Sequence, residues 1–359
     1  MSALARQPLR GAVASVAVMA LALAFVASFE FSRFAGQVSF FMLCLIPLQV
    51  VAVVLWGAKL PFVELLPRPL RGIALLFLNV AIAVAIAPIA IQVAGEGLRP
   101  PGPIPSHFAI IVVPTTFWLA IMFGGWPFTA IARERLVPGL AVLAASYVIT
   151  YGIFATFFNY GFLEGTPAYL ASAPQGLFNG VIALVFYVTC LAVMFLVLCF
   201  DLWPFTTSPA LMKQPVLGAV WTVVALAGGA AATYVGLTLM GADPMVFLTR
   251  VSAPFIFGSI IMLNMLQNSL FASMRQPLKG VMNAAAAAVI GVGLARLYGT
   301  LAPAVSGQLT SGPPGYDFEV WLANALLSVT FPFLIFHAAY FDYWPLPAAH
   351  VAAENAARV

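Results

Sequence analysis

A single histidine inside an apolar stretch is the residue of this sequence best suited to proton chemistry. His337 stands in "FPFLIFHAAYFDYWPL", about one and a half helical turns before Asp342 and near Tyr340. An ionisable group within a membrane span is costly and therefore marks a candidate functional site, and imidazole titrates near neutrality. His337 is a candidate for proton transfer or substrate polarisation, with Asp342 as partner if the chain is an enzyme. The ordinary alternative is a neutral histidine bonded to a backbone carbonyl near the headgroups.

Amides are the more numerous polar groups within the apolar stretches. "LNMLQNS" places Asn264 and Asn268 on one face of a helix. Because amide side chains in lipid must face other helices or a cavity, they either line a path for a neutral polar solute or bond helices together. Bonding between helices is the favoured interpretation. If a path exists, the candidate residues are Gln49, Asn264, Asn268, Asn324 and His337.

The remaining reactive residues do not form a recognisable site. Cys44, Cys190 and Cys199 lie in apolar runs without a CxxC pair, which predicts buried thiols. His107 and His337 are expected near opposite membrane surfaces, and no spacing suits a haem, copper or zinc site. No phosphate-binding loop and no basic tract are present. We therefore predict no metal, no cofactor, no nucleic-acid partner and no assigned catalytic residue, and an enzyme is disfavoured.

Composition identifies the solvent of the chain. Of its 359 residues, 63% are hydrophobic and only 7% are charged, and the mean hydropathy is +1.04. Soluble domains carry about 25% charged residues because they must present a wetted surface. The sequence therefore predicts an integral membrane protein whose principal partner is the lipid bilayer.

Ten apolar runs are long enough to span a bilayer, which requires about 20 residues. Together they predict an all-α, polytopic transmembrane helix bundle. The expected spans are approximately 11–29, 37–56, 71–93, 108–126, 138–158, 177–200, 216–239, 253–273, 279–299 and 319–341.

Two short motifs recur between these runs. A Pro-x-x-Gly preceded by a basic residue opens odd-numbered spans, and Trp-Pro closes even-numbered spans. The missing N–H of proline is harmless in a first helical turn, and tryptophan prefers the membrane interface. The predicted interfacial and structural residues are Pro8, Pro69, Pro215, Pro277, Trp126, Trp203 and Trp344.

The motifs divide one transmembrane domain, residues 1–346, into five helix hairpins of like orientation. Their approximate bounds are 6–67, 68–134, 135–212, 213–274 and 275–346, and residues 347–359 form a short tail. Fixed-period similarity favours internal duplication, although independent selection of interface chemistry is the alternative. Parallel hairpins could form a ring about a pseudo-fivefold axis or stack side by side.

Basic residues indicate the orientation. If sides alternate, the side of the N-terminus collects eleven of the fifteen Lys and Arg residues and the other side four. Under the positive-inside rule, both termini are expected in the cytoplasm and the protein in the inner membrane.

Buried amides, little embedded charge and no catalytic constellation favour one function. We expect a channel or permease that transports a small neutral or weakly polar solute. The alternative is a non-catalytic anchor or scaffold subunit, whose partner is another subunit or a second copy of the chain. The solute, direction, energy coupling and oligomeric state do not follow from the sequence.

Overall fold

Ten long apolar helices dominate the computed structural model, which describes residues 6–60, 62–132 and 134–347. The protein is 70% helical with almost no strands, which confirms the prediction of an all-α chain with ten helices able to span a membrane. Residues 348–359 of the expected tail lie outside the described residues. The helices are α1 (Leu9–Val26), α2 (Phe31–Val54), α3 (Leu70–Gly95), α4 (Pro103–Met122), α5 (Leu136–Phe157), α6 (Gly180–Cys199), α7 (Val216–Leu239), α8 (Pro244–Met265), α9 (Leu278–Ser306) and α10 (Asp317–Tyr340).

Helices α8 and α9 show the largest differences in extent from the hydropathy runs. α8 starts at Pro244, nine residues before the expected 253, because the Asp243 side chain caps it by accepting from the N–H groups of Met245 and Val246. Arg250 therefore lies within the span. α9 continues through Pro303 to Ser306, beyond the expected end at 299. Hydropathy does not predict these helix ends. It treats charged residues and proline as breaks in a span and does not record whether a side chain caps the helix.

The helices form two layers. In each even-numbered helix 61–72% of the residues of the membrane-length window are buried, against 22–44% in each odd-numbered helix. Successive even-numbered helices contact one another from α2 to α10, and α10 also contacts α2. The five even-numbered helices thus form a closed inner ring. Each odd-numbered helix packs outside it against the even-numbered helix that precedes it, and α1 packs against α10.

All five inner helices end in the same backbone conformation. An aromatic residue or leucine is followed by two residues with positive φ, between 47° and 75°. This pair turns the chain away from the helix axis. The N–H groups of the turn can then donate to carbonyl groups in the last turns of the helix. The five pairs are Gly57–Ala58, Gly124–Gly125, Asp201–Leu202, Gln267–Asn268 and Asp342–Tyr343. Trp126, Trp203 and Trp344 follow this turn, so they lie beyond the helix ends that we expected them to close.

A glycine in the first turn of each odd-numbered helix contacts the end of an inner helix. Four of these glycines belong to Pro-x-x-Gly motifs, and the fifth, Gly139, directly follows Pro138. A Cβ atom on Gly72 or Gly280 would overlap the Phe341 or the Phe200 ring, so only glycine permits these approaches. The full set of contacts is Gly11 with Met265, Gly72 with Phe341, Gly139 with Trp56, Gly218 with Phe123 and Gly280 with Phe200. Each odd-numbered helix therefore starts beside the end of the inner helix three helices earlier in chain order, as α5 does beside α2, and the count continues from α1 back to α10.

Helices α8 and α9 show why α9 is rich in small residues. A Cβ on Gly258 would overlap the Ala287 carbonyl, and one on Gly291 would overlap the Pro254 carbonyl. A Cβ on Gly293, by contrast, would have no neighbouring atom within 4 Å. Small residues let two helix backbones approach closely, which is a common packing mode in membranes. Packing therefore explains the small residues of α9 at Ala287 and Gly291, where the two backbones meet.

At the other end of the bundle, acidic side chains fasten the loops. Glu96 accepts from the Ser172 N–H at 2.7 Å, and this bond lowers the pKa of the carboxyl group. Tyr316 donates to Asp243 at 2.6 Å, which raises the pKa of the tyrosine. Strands β1 (Phe158–Asn159) and β2 (Phe178–Asn179) pair in parallel in the loop between α5 and α6. The short helices are Phe128–Ile131, Gly161–Leu163 and Phe205–Thr207.

Candidate functional site: the central cavity

A cavity of about 70 Å³ lies within the inner ring. Every inner helix contributes to its wall, including Leu43 of α2, Ile110 of α4, Leu191 of α6, Ile256 of α8 and Leu327 of α10. Larger spaces of about 760 and 690 Å³ lie between inner and outer helices, at α4–α7 and at α1–α3 with α10. The smaller cavity is the candidate site because it alone among these three is bounded by all five inner helices.

Three phenylalanine rings narrow the cavity. Phe117 of α4 lies with its ring centroid 5.5 Å from that of Phe195 and 6.1 Å from that of Phe331. All three side chains line the cavity. Since the rings come from three different inner helices and meet in the interior of the ring, they form an apolar constriction between the two ends of the bundle. Such constrictions hold back water and solutes without a mechanical gate.

The polar side chains in the cavity wall are Asn324 and Ser328, both from α10. The Ser328 hydroxyl donates to the Asn324 side-chain oxygen at 3.1 Å. Both residues lie in a π-helical segment, Asn324–Thr330, a conformation that often marks functional sites. Thr330 stabilises this segment by donating to the Ala325 carbonyl at 2.7 Å. The wall is therefore apolar except on its α10 side.

Proline interrupts the inner helices close to the cavity. Pro47, Pro114 and Pro332 each lie nine residues before the residue that precedes the left-handed pair. A proline has no N–H to donate, so the carbonyl four residues earlier loses its usual helical partner. For Pro47 and Pro114 these carbonyls belong to Leu43 and Ile110, both of which line the cavity.

Of the five candidate path residues, the structure places Asn324 in the wall of the cavity and the others elsewhere. Gln49 is fully buried and donates to the Pro332 carbonyl at 2.8 Å, which joins α2 to α10. The backbone carbonyl of Asn264 accepts from the Tyr343 hydroxyl at 2.6 Å, and Asn268 donates to Asp201 at 3.3 Å. These three residues connect helices or helix ends.

His337 lines the groove of about 690 Å³ between α1, α2, α3 and α10, outside the inner ring. Its ring lies edge-on to Tyr343 at 5.9 Å. The Asp342 carboxylate is instead bound by Arg10 and Arg68, each at 3.2 Å. The geometry therefore does not place Asp342 as the acid–base partner of His337.

Other buried polar groups join neighbouring helices. Asn79 donates to the Tyr340 hydroxyl at 3.0 Å, and Asn283 donates to the Cys199 carbonyl at 3.1 Å. The hydroxyl groups of Thr115 of α4 and Tyr187 of α6 share a hydrogen bond, with their oxygens 3.0 Å apart. These bonds support the interpretation of most amides as contacts between helices.

The remaining candidate ligands do not cluster. Cys44, Cys190 and Cys199 are free and buried. His107 is paired with the Tyr160 hydroxyl at 3.0 Å. Within the described residues, no three His, Cys, Asp or Glu side chains lie together as a metal site requires.

Sequence reasoning missed the cavity because it sought polar side chains. Most wall residues are Leu, Ile, Val and Phe, which have the same hydropathy whether they face lipid or the axis of the bundle. The usable signal was the recurrent proline nine residues before the helix end. The shared spacing is visible only when the left-handed pairs are aligned, because Trp56 occupies the backbone position of Phe123 and Phe341 and not that of the Trp-Pro tryptophans.

Comparison with known proteins adds no assignment: no family model, no curated protein and no solved structure matches the chain.

Proposed function

We propose that the chain consists of five duplicated helix hairpins of like orientation in the inner membrane, with both termini in the cytoplasm. The five left-handed helix ends and the five glycine contacts support the duplication, because each occurs once in every unit and in cyclic order. Most basic residues fall at the cytoplasmic side of this arrangement, as the positive-inside rule requires.

Single-cysteine labelling tests this topology. The native thiols are buried, so background reaction with a membrane-impermeant maleimide should be low. In intact cells we expect labelling of Thr166→Cys and Ser311→Cys, and labelling of Glu64→Cys and Thr207→Cys only after the membrane is permeabilised. A hairpin that labels from the opposite side would disprove like orientation.

We propose that the protein is a channel or permease for a small neutral or weakly polar solute. The observation that carries the proposal is the cavity of about 70 Å³ bounded by all five inner helices. The five inner helices surround this space, and hydrogen bonds between buried polar groups join neighbouring helices of the ring. The described cavity wall contains no charged side chain, so an ion would lose its hydration without compensation.

Solute flux into liposomes containing the purified protein tests this function. We expect urea or glycerol to enter faster than into protein-free liposomes. Ala323→Trp should lower this flux about tenfold, equivalent to about 1.4 kcal/mol in the barrier, because Ala323 lines the cavity and the indole would fill it. Val148→Trp is the matched control, since Val148 is 71% exposed on the outer surface of the bundle.

Equal flux through the two tryptophan variants would show that solute does not cross the central cavity. If folded wild-type protein passes no solute and retains a stoichiometric partner in mild detergent, the anchor function would replace transport.

A further inference from the structure

We infer that the transported solute both donates and accepts hydrogen bonds, as a small uncharged amide or polyol does. The inferred contacts are the Asn324 amide and the backbone carbonyls of Leu43 and Ile110. This inference rests on the proposed transport function and narrows its solute class.

Asn324 offers a free donor. Its side-chain oxygen accepts from Ser328 at 3.1 Å, and its Nδ2 has no hydrogen-bond partner among the described residues. This nitrogen is also not completely buried, whereas the side-chain oxygens of Gln49, Asn79 and Asn283 are buried and have no partner. The Asn324 NH₂ group therefore has accessible surface and no partner, and Asn324 lines the cavity.

Leu43 and Ile110 offer acceptors through their backbones. Pro47 and Pro114 stand four residues after them, so neither carbonyl can accept the regular α-helical bond. No described side chain donates to either carbonyl, although Thr115 and Thr116 donate to the next two carbonyls along α4, those of Ile111 and Val112. The two oxygens belong to residues of the cavity wall on adjacent inner helices.

The size and charge of the cavity restrict the solute further. A cavity of about 70 Å³ has room for a few water molecules or one small solute, since one water needs about 10–15 Å³ of such cavity space. An apolar gas would make no use of the donor or the acceptors. A molecule with one carbonyl or hydroxyl and a second polar group can satisfy Asn324 and a carbonyl together, which offsets its loss of water.

Two substitutions separate hydrogen bonding from cavity size. Asn324→Ala enlarges the cavity and removes the donor, and Pro114→Ala enlarges it and restores an N–H for the Ile110 carbonyl. If hydrogen bonds carry the solute, each variant should lower urea flux about fivefold, the factor of one typical hydrogen bond. If only size matters, both variants should raise it.

The controls change size or proline content alone. Leu327→Ala also enlarges the cavity but removes no polar group, so urea flux should rise. Pro88→Ala restores an N–H in the outer helix α3, so flux should stay at the wild-type value. Chloride and potassium flux should remain at the level of protein-free liposomes for every variant.

Increased urea flux through both Asn324→Ala and Pro114→Ala would overturn the inference and leave the transport function standing. Ion flux through the wild type would also overturn it. A folded wild type that passes no solute would remove the transport function and this inference together.

Discussion

Phe117→Ala is expected to raise urea flux about tenfold or more, corresponding to a fall of at least about 1.4 kcal/mol in the barrier. Phe117 is the ring that touches both of the other phenylalanines in the cavity, Phe195 and Phe331. Its removal opens the constriction on the α4 side and leaves the polar groups of α10 in place. Stopped-flow swelling of liposomes with equal protein content measures the change.

Phe108→Ala is the matched control for this experiment. Phe108 is also a buried phenylalanine of α4, but it packs against Phe154 of the outer helix α5 with ring centroids 5.5 Å apart. Its loss should lower stability, since deletion of a buried phenylalanine costs about 3–5 kcal/mol, without raising flux. Unchanged flux in folded Phe117→Ala would show that the three rings do not limit passage.

Asp342→Ala is expected to destabilise the fold by about 3 kcal/mol, within the range for breaking a buried ion pair. Asp342 bridges Arg10 and Arg68, and the Arg10 side chain is only 4% exposed. Arg10 also lies over the Tyr343 ring, with its guanidinium carbon 4.1 Å from the centroid. Without the carboxylate, a buried cation would remain without its counter-charge. Denaturant unfolding in detergent measures the loss.

Asp201→Ala provides the comparison because Asp201 occupies the same position in "FDLWP" that Asp342 occupies in "FDYWP". Asp201 pairs with Lys279 at 2.6 Å, but its side chain is 42% exposed. Exposed pairs contribute about 0–1 kcal/mol, so this variant should stay near the wild type. Equal losses for the two aspartates would contradict the role assigned to Arg10 burial.

The helices were predictable because twenty-residue apolar runs have few alternatives in a chain with 7% charge. The start of α8 was not predictable, since it depends on whether the Asp243 carboxylate accepts hydrogen bonds from the first N–H groups of the helix. Pro-x-x-Gly identified helix starts, but the partner of each glycine, such as Phe341 for Gly72, lies between 80 and 269 residues away along the chain. Long-range pairing of this kind leaves no periodic trace in one sequence.

The candidate site was only partly predictable for a related reason. Asn324 is a candidate path residue because it is an amide in an apolar run, and it lines the cavity. Gln49 has the same chemistry and sequence setting, yet its amide binds the Pro332 carbonyl between two helices. Which way a helix rotates about its own axis decides between these outcomes, and packing with neighbouring helices sets that rotation.

Closure of the inner ring has a consequence for biosynthesis. α2 contacts α10 to close the ring, and Gln49 of α2 donates to the Pro332 carbonyl across a separation of 283 residues. α2 therefore stays in the membrane without one of its neighbours in the ring until α10 has been translated and inserted.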